Sequence, residues 1–350
     1  MKKTWLLVVC ILLITGSIIY LEGMKVRPGK IQTAITDKNN QFPIAPELSG
    51  IAGYINSANN LTLASLRGKV VLIDFWTYTC INCIRTQPYL NAWYDKYHEA
   101  GLEIIGVHTP EFGFEKKYEN VLSAVEREGI KYPVVQDNEY ETWRAYQNQY
   151  WPRKYLIDSQ GKIRYDKIGE GGYQETEEWI RKLLKERNET LQLKQIANVS
   201  GVIQAGRVGT PEIYFGYGFN RGNFGNKEGL KPEESVNYTI ANELVFNNAY
   251  LEGVWLNKKD YVELDSDSGR VALPFYAKAV NIVASAEDIS SISVFIDGKQ
   301  IVTGTDFSNG LLNIKEERLY SLFTGSKSAS QTLDLRISGK GFRIYTFTFG

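Results

Sequence analysis

The sequence predicts an α/β domain, with a central sheet flanked by helices, followed by an all-β sandwich and preceded by a single N-terminal transmembrane helix. The chain has 350 residues, enough for two domains of ordinary size. An apolar run fills residues 5–21, and strand-like and helix-like patterns alternate over residues 50–195. Short β-rich runs then recur over residues 196–350. We therefore place the domain boundary near residue 196.

The N-terminal segment determines the expected compartment. Lys2 and Lys3 precede the apolar run, which is typical of an export signal, and no Ala-x-Ala-like cleavage site follows it. Residues 1–21 are therefore expected to form an uncleaved signal anchor, with a cleaved signal peptide as the alternative. The lysines then stay in the cytoplasm, and the bulk of a single-pass protein lies on the extracytoplasmic side of the cell membrane. Residues 22–49 contain several prolines and no sustained period, which predicts a tether.

The elements of the α/β region follow from hydrophobic periodicity. Residues 69–76 form a continuous apolar run, as expected of a strand buried on both faces. The later patterns predict a second strand at 102–107 and an amphipathic helix at 118–125 that stops at Gly129. They also predict a hairpin at 155–165 and a last helix through 179–184.

The C-terminal region loses helical periodicity. Short β-rich runs occur at 238–240, 261–264, 271–283, 291–296, 333–337 and 342–349. Asp297-Gly298 lies between two such runs, which is a strong hairpin signal. Evenly spaced short strands of this kind predict a sandwich of about 150 residues.

Composition excludes several classes of function. The 40 Lys and Arg residues balance 40 Asp and Glu residues, and this neutrality argues against nucleic-acid binding. Three cysteines and two histidines leave little for a zinc site, which usually needs four such ligands. We expect neither a metal nor another cofactor.

Cys80 and Cys83 are the residues expected to carry chemistry. They form a C-x-x-C directly after the apolar strand and before a helical pattern. A helix N-terminus favours the thiolate, so Cys80 is the expected nucleophile and Cys83 the residue that resolves a mixed disulfide. A structural disulfide between them is one alternative, although so short a loop would remove little conformational entropy from the unfolded chain. Zinc is another, but His98 and His108 are isolated and supply no second ligand pair.

Three further residues support a redox site. Asp74 lies in the apolar strand, where burial would raise the pKa of its carboxyl group and let it exchange a proton with Cys83 through water. The alternative is a strand-end aspartate that faces solvent. Pro152 follows Trp151 just before a strand, and a cis peptide bond there would expose backbone groups to a substrate strand. His108 is expected to line a loop near the site.

These residues resemble the thioredoxin family: Asp74-Phe75-Trp76, then Cys80-Ile81-Asn82-Cys83, then a proline before a late strand. The run from Leu66 to Cys83 resembles the extracytoplasmic TlpA/DipZ-type branch, and the resemblance covers about residues 46–190. It implies a thioredoxin-like fold and a Cys80–Cys83 redox disulfide. The implied roles are those given above for Asp74 and Pro152, with Trp76, Tyr78, Trp151 and His108 as supporting neighbours.

The resemblance also extends to the second domain. In DipZ proteins a β-sandwich like a carbohydrate-binding module follows the thioredoxin part, and Thr210–Tyr217 looks like its entry. The family's full-length members carry a multi-helix electron conduit, whereas this sequence has one apolar segment. The expected partners are therefore disulfide-bearing exported proteins and a separate membrane electron donor, with a glycan as a further ligand of the β domain.

The predicted function is that of a membrane-tethered thiol–disulfide oxidoreductase. Ile81-Asn82 adds no positive charge between the cysteines, which favours a reductase over an oxidant or isomerase. One alternative is a glycan- or partner-binding protein in which the thioredoxin part is only a scaffold. Another is a thiol peroxidase, suggested by Thr77-x-x-Cys80. The proline that a peroxidase motif needs before that threonine is replaced by Ile73.

Overall fold

The computed structural model describes residues 42–193, 199 and 206–350. The expected membrane segment 1–21, the tether up to residue 41 and the boundary near residue 196 lie outside the described residues. Within the described part of the chain, no helix is both long and apolar enough to cross a membrane. Residues 43–350 form one compact unit that contains two β-sheets.

The first sheet has six strands in the order β1-β4-β3-β2-β5-β6. Strands β2, β3 and β4 are parallel, and the remaining pairs are antiparallel. Its strands are β1 Gly53–Ile55, β2 Val70–Trp76, β3 Leu102–His108, β4 Val134–Gln136, β5 Arg153–Ile157 and β6 Ile163–Ile168. The helices are α1 Ile81–Tyr97, α2 Tyr118–Arg127, α3 Glu141–Ala145 and α4 Tyr173–Arg187, with 3-10 turns at Ala64–Leu66 and Gly113–Lys116.

Strand β2 is buried on both faces, as its apolar sequence predicts. Val70, Leu72 and Trp76 pack into a core shared with helices α1, α2 and α4. Val71, Ile73 and Phe75 point the other way, into a core shared with Trp143 of α3. Because side chains alternate along a strand, Asp74 faces the same side as Leu72 and Trp76, beneath helix α1.

Residues 43–49, which the sequence assigns to a tether, are bound to the α/β fold. Ala45 is buried and donates its N–H to the Gly161 carbonyl at 2.9 Å. Glu47 accepts hydrogen bonds from the N–H groups of Leu63 and Ala64. These contacts involve backbone and one carboxylate, so the composition of the segment gave no sign of them.

The second sheet has eleven strands, all in antiparallel pairs. The long strands β11 and β16 run side by side, with register shifts near Ala279 and Val280. The C-terminal region is thus β-rich, as predicted. Its strands are β7 Ile213–Tyr214, β8 Ser235–Tyr238, β9 Tyr250–Asn257, β10 Val262–Leu264, β11 Ser268–Ala286, β12 Ser290–Ile296, β13 Lys299–Ile301, β14 Phe307–Ser308, β15 Leu311–Ile314, β16 Arg318–Ser338 and β17 Phe342–Phe349.

The two sheets are joined by an apolar contact. Tyr345 of β17 packs against Phe112 and Phe114, with ring centroids 5.3 and 4.6 Å apart. Tyr214 also lies in the core that contains Trp76 and Cys83. The β region therefore covers the segment that follows β3, and this segment runs beside the paired cysteines.

Candidate active site

The two cysteines lie at the start of helix α1. Strand β2 ends at Trp76, and Cys80 is the N-cap of the helix, with its Sγ accepting a hydrogen bond from the Cys83 N–H at 3.2 Å. Cys80 is partly exposed and Cys83 is fully buried, and both are free thiols. A reacting group from outside therefore meets Cys80 first, with Cys83 behind it.

Cys83 is strongly biased towards the protonated thiol. Burial raises its pKa well above the ordinary value, and the hydrogen bond and charge of Cys80 raise it further. A hydrogen bond to the Thr77 backbone lowers the pKa of Cys83, whereas the negative charge of Asp74 raises it. Cys83 thus needs a nearby proton acceptor before it can act as a nucleophile.

Asp74 is buried beside an equally buried lysine. Strands β2 and β5 pair Asp74 with Lys154, and the Asp74 Oδ1 lies 3.9 Å from the Lys154 Nζ. Neither carboxylate oxygen nor Nζ has a hydrogen-bond partner among the described residues. Burial raises the pKa of Asp74 to about 7, an effect that the charge of Lys154 partly offsets. Burial likewise lowers the pKa of Lys154, and Asp74 opposes that shift.

Glu115 positions the segment before Cys80. Its Oε1 accepts hydrogen bonds from the hydroxyl groups of Thr77 and Thr79, both at 2.6 Å. Its Oε2 accepts the N–H groups of Glu111 and Phe112 at 2.5 and 2.9 Å. Glu115 is fully buried, and burial raises its pKa, while the two threonines and two amides lower it. One carboxylate thus ties the cysteine loop to the segment after β3.

Trp76, Tyr78 and His108 form a buried cluster next to this loop. His108 lies 5.2 Å from Trp76 edge to face and stacks on Tyr78 at 5.6 Å, measured between ring centroids. Burial lowers the pKa of His108 to about 3, so the imidazole is neutral at physiological pH. Its Nε2 lies 3.4 Å from the Thr77 hydroxyl oxygen. These rings pack behind the site and carry no charge there.

Trp151 lines the same cleft as Cys80, and Pro152 follows it in the chain. The peptide bond between them is cis. The Pro152 carbonyl accepts a hydrogen bond from the Gly169 N–H at 2.8 Å, so this oxygen is already engaged. Trp151 packs against Trp143 with ring centroids 4.4 Å apart. The indole is therefore held in place beside the cysteine.

An open cleft of about 620 Å³ leads to Cys80. Its lining includes Thr79–Asn82, together with Tyr150 and Trp151. The β region contributes Val208, residues 210–212 and Phe349 to the same lining. Arg85 lines the cleft and binds Glu170 through two nitrogens, at 2.8 and 3.0 Å. Access to the thiol is thus shaped by both parts of the molecule.

Sequence reasoning missed two residues of this site. Lys154 stands in an ordinary strand pattern, and its position opposite Asp74 depends on the register between β2 and β5. A lysine directly before the apolar run Tyr155-Leu156-Ile157 was the available signal. Glu115 ends the aromatic-rich run Glu111–Glu115, and an acid directly after Phe114 was the only hint. Across residues 42–193, 199 and 206–350, no group of His, Cys, Asp or Glu side chains is arranged to hold a metal ion.

The fold and the paired cysteines define a thioredoxin-like protein. Residues 44–166 match the AhpC/TSA family, and residues 210–350 match the thioredoxin-like C-terminal domain. The two parts of the chain are thus each similar to a family of thioredoxin-like proteins. It is similar to the protein DipZ of Mycobacterium bovis, with 38% identity over 312 residues, which cover 87% of this chain and 43% of DipZ. The chain thus spans less than half the length of that relative.

Two shorter relatives align with the α/β part. The thiol-disulfide oxidoreductase ResA of Bacillus cereus is 28% identical over 185 residues, covering 52% of this chain and 99% of ResA. The thiol-disulfide oxidoreductase YkuV of Bacillus subtilis is 28% identical over 142 residues, covering 40% of this chain and 94% of YkuV. The resemblance drawn from the cysteine motif is therefore confirmed at the level of the family.

Replacing Lys154 tests the buried ion pair. The variant Lys154→Met removes the positive charge that lowers the pKa of Asp74, so this pKa should rise above about 7. The Asp74 carboxyl stretch, followed by infrared difference spectroscopy against pH, reports the midpoint. Lys69→Met, near the other end of β2, is the matched control and should leave the midpoint in place. An unchanged midpoint in Lys154→Met would mean that Lys154 is uncharged while Asp74 titrates.

Replacing Glu115 tests the anchor of the cysteine loop. Glu115→Ala leaves two buried N–H groups and two buried hydroxyls without their acceptor, so the free energy of unfolding should fall by about 3 kcal/mol. Glu115→Gln should lose less, because its carbonyl oxygen can still accept both N–H groups. Urea denaturation at pH 7 measures both losses. Glu139→Ala, at an exposed carboxylate, should change stability by less than about 0.5 kcal/mol. Equal losses at the two sites contradict the assignment.

Proposed function

We propose that this chain is a thiol–disulfide oxidoreductase that acts through Cys80 and Cys83. The observation that carries the proposal is the pair itself. A partly exposed thiol caps helix α1 at the bottom of an open cleft, and a buried thiol lies one turn behind it with its N–H bonded to the first sulfur. Such a pair suits disulfide exchange, because one sulfur attacks and the other resolves.

The reaction has two exchange steps. The Cys80 thiolate attacks one sulfur of a substrate disulfide, forms a mixed disulfide and releases the other substrate sulfur as a thiolate. Cys83 then loses its proton and attacks the Cys80 sulfur, which forms the Cys80–Cys83 disulfide and releases the second substrate thiol. Two electrons pass from the dithiol to the substrate. A second dithiol, carried by a membrane protein, reduces the pair again.

Asp74 is the proposed proton acceptor for Cys83. The thiol does not ionise readily by itself, because burial raises its pKa. With a pKa of about 7, the Asp74 carboxyl group is about half ionised at neutral pH and can accept a proton through water. Lys154 tunes this group by keeping its pKa from rising further. The role assigned to Asp74 from the sequence is thus retained, with Lys154 as its positioning partner.

The remaining predicted residues surround the path of the substrate. Trp151 lines the cleft, and we assign it and Pro152 to substrate docking through the Trp151 backbone, since the Pro152 carbonyl is engaged with Gly169. Trp76, Tyr78 and His108 are assigned to support of the loop. Because His108 is neutral and buried, it takes no part in proton transfer in this scheme.

The setting of the reaction follows from the N-terminal sequence. We assign the apolar run 5–21 to a signal anchor that keeps the enzyme at the outer face of the cell membrane, where its substrates are exported proteins. We also assign the β-rich region to a sandwich like a carbohydrate-binding module, as the resemblance implies. Glycan binding by that region stays a prediction.

A resolving-cysteine variant tests the enzyme assignment. In Cys83→Ser the second step is blocked, so mixed disulfides between Cys80 and substrate proteins should accumulate. Non-reducing gels and mass spectrometry of the full chain detect them as adducts that dithiothreitol removes. The double variant, in which Cys80→Ser is added, is the matched control and should form none. Equal adducts in both variants, or none in either, would favour the binding-protein alternative, and rapid consumption of hydrogen peroxide by the wild type would favour the peroxidase.

The direction of transfer has its own test. The guanidinium group nearest the Ile81-Asn82 dipeptide belongs to Arg85, and Glu170 neutralises it through a bidentate ion pair. With no net cation to stabilise a thiolate, the reduction potential should lie near that of thioredoxin, about −270 mV. Equilibration with dithiothreitol buffers measures it. A value of about −120 to −180 mV would instead identify an oxidant or isomerase.

A further inference from the structure

We infer that the β region selects the substrate of Cys80, and that it prefers a polypeptide with an apolar side chain next to its disulfide cysteine. This inference rests on the proposed function. Its basis is the part of the cleft lining that the β region contributes, which we call the β wall: Val208, residues 210–212, Tyr214 and Phe349. These residues lie outside the α/β fold that carries the cysteines, yet they border the same cleft.

The α/β part and the β region each contribute an exposed apolar side chain to the cleft lining. Val208 of the β wall is 45% exposed, and Tyr150 of the α/β part is 43% exposed. Exposed large apolar residues that line a cleft mark a binding surface more often than scattered ones do. Ile81 and Trp151 continue the apolar lining down to Cys80. A chain that brings its disulfide to Cys80 enters a cleft whose lining includes both Tyr150 and Val208.

The charged groups of the cleft are largely engaged with one another. Arg85 forms its bidentate pair with Glu170. The Tyr214 hydroxyl lies 2.7 Å from the Glu111 Oε1 and 3.0 Å from the Glu212 Oε2, and Arg221 stacks over the Tyr214 ring at 4.6 Å. One hydroxyl proton serves only one carboxylate, so the second contact requires a proton on a carboxyl group. Burial raises the pKa of Glu111 to about 8, which supplies that proton at neutral pH.

The β wall is held in a fixed position relative to Cys80. Thr79, the residue before Cys80, donates its hydroxyl to Glu115, and Glu115 accepts the backbone N–H of Glu111. The Glu111 side chain in turn bonds to Tyr214 of the wall. A continuous line of hydrogen bonds therefore joins the nucleophile's loop to the wall. This rigidity suits a specificity element, because a pocket discriminates only if its sides do not move apart.

The shape and chemistry of the cleft define the occupant. Its volume of about 620 Å³ falls in the range of sites that enclose a small molecule or a short peptide segment. Because the charged groups of the cleft pair with one another, the apolar contacts at Val208 and Tyr150 determine which substrate is preferred. A short extended segment with a leucine-like residue beside its cysteine satisfies these contacts, and a charged or small residue there does not.

The test compares two synthetic peptide disulfides, identical except for Leu or Ser next to the cysteine. The full chain is assayed for kcat/KM on each, with dithiothreitol as the reductant. We expect the wild type to favour the Leu peptide, and Val208→Asp to lower the Leu-to-Ser ratio about tenfold, mainly through KM. Val302→Asp is the matched control, because Val302 is 53% exposed in the β region and lies outside the cleft lining. It should keep the wild-type ratio.

Two results would overturn the inference. One is a Leu-to-Ser ratio of kcat/KM near one for the wild type. The other is an equal decrease of this ratio in Val208→Asp and in Val302→Asp. Val208→Ser provides a milder variant if Val208→Asp unfolds, and it should lower the ratio in the same direction. Failure of the proposed function has a different signature: the wild type then reduces neither peptide, and Cys83→Ser forms no adduct with either.

Discussion

The buried carboxylate of Glu115 is the contact on which the arrangement of the site depends. Four donors from two separate segments converge on its two oxygens. Thr77 and Thr79 lead into Cys80, while the Glu111 and Phe112 amides lead towards Tyr214 and Tyr345 of the β region. A buried carboxylate is costly unless its lone pairs are filled, so the group favours this one geometry over others. The thiol, the cleft and the β wall are thereby built around a single carboxyl group.

The ion pair between Asp74 and Lys154 differs from the Glu115 contacts in what it contributes to the protein. Both groups are fully buried, and at 3.9 Å they attract without a hydrogen bond. Such a pair contributes little stability, because desolvation offsets the Coulombic gain. What it provides is a carboxyl group with a pKa near neutrality, placed on the face of β2 that lies beneath Cys83. The energetic cost is thus consistent with a functional use of the pair.

Sequence patterns predicted the strands with a clear apolar run or alternation, and they missed strands in which this pattern is interrupted. Strand β17 matches the predicted run Phe342–Phe349, and β2 differs from its prediction by one residue. Strand β9 was missed because Gly253, with a positive φ of 98°, interrupts its alternation. Residues 318–332 of β16 were missed because polar residues are frequent in this part of the strand. Lys154 and Glu115 escaped for another reason: Lys154 is distant in sequence from Asp74, and Glu115 from Thr77 and Thr79, so that only the strand register and the loop path bring them together.

The β region follows from the same long-range contacts. Tyr345 fills the space beside Phe112 and Phe114, and burial of such rings makes the two sheets one compact unit. A hinge between the two sheets would expose these rings to water, so the β wall stays beside Cys80. A dithiol on an isolated α/β fold would face solvent on that side. Here the second domain contributes to a cleft around the same thiol, and under the proposed function this would let the site choose its substrate by the residue next to the disulfide.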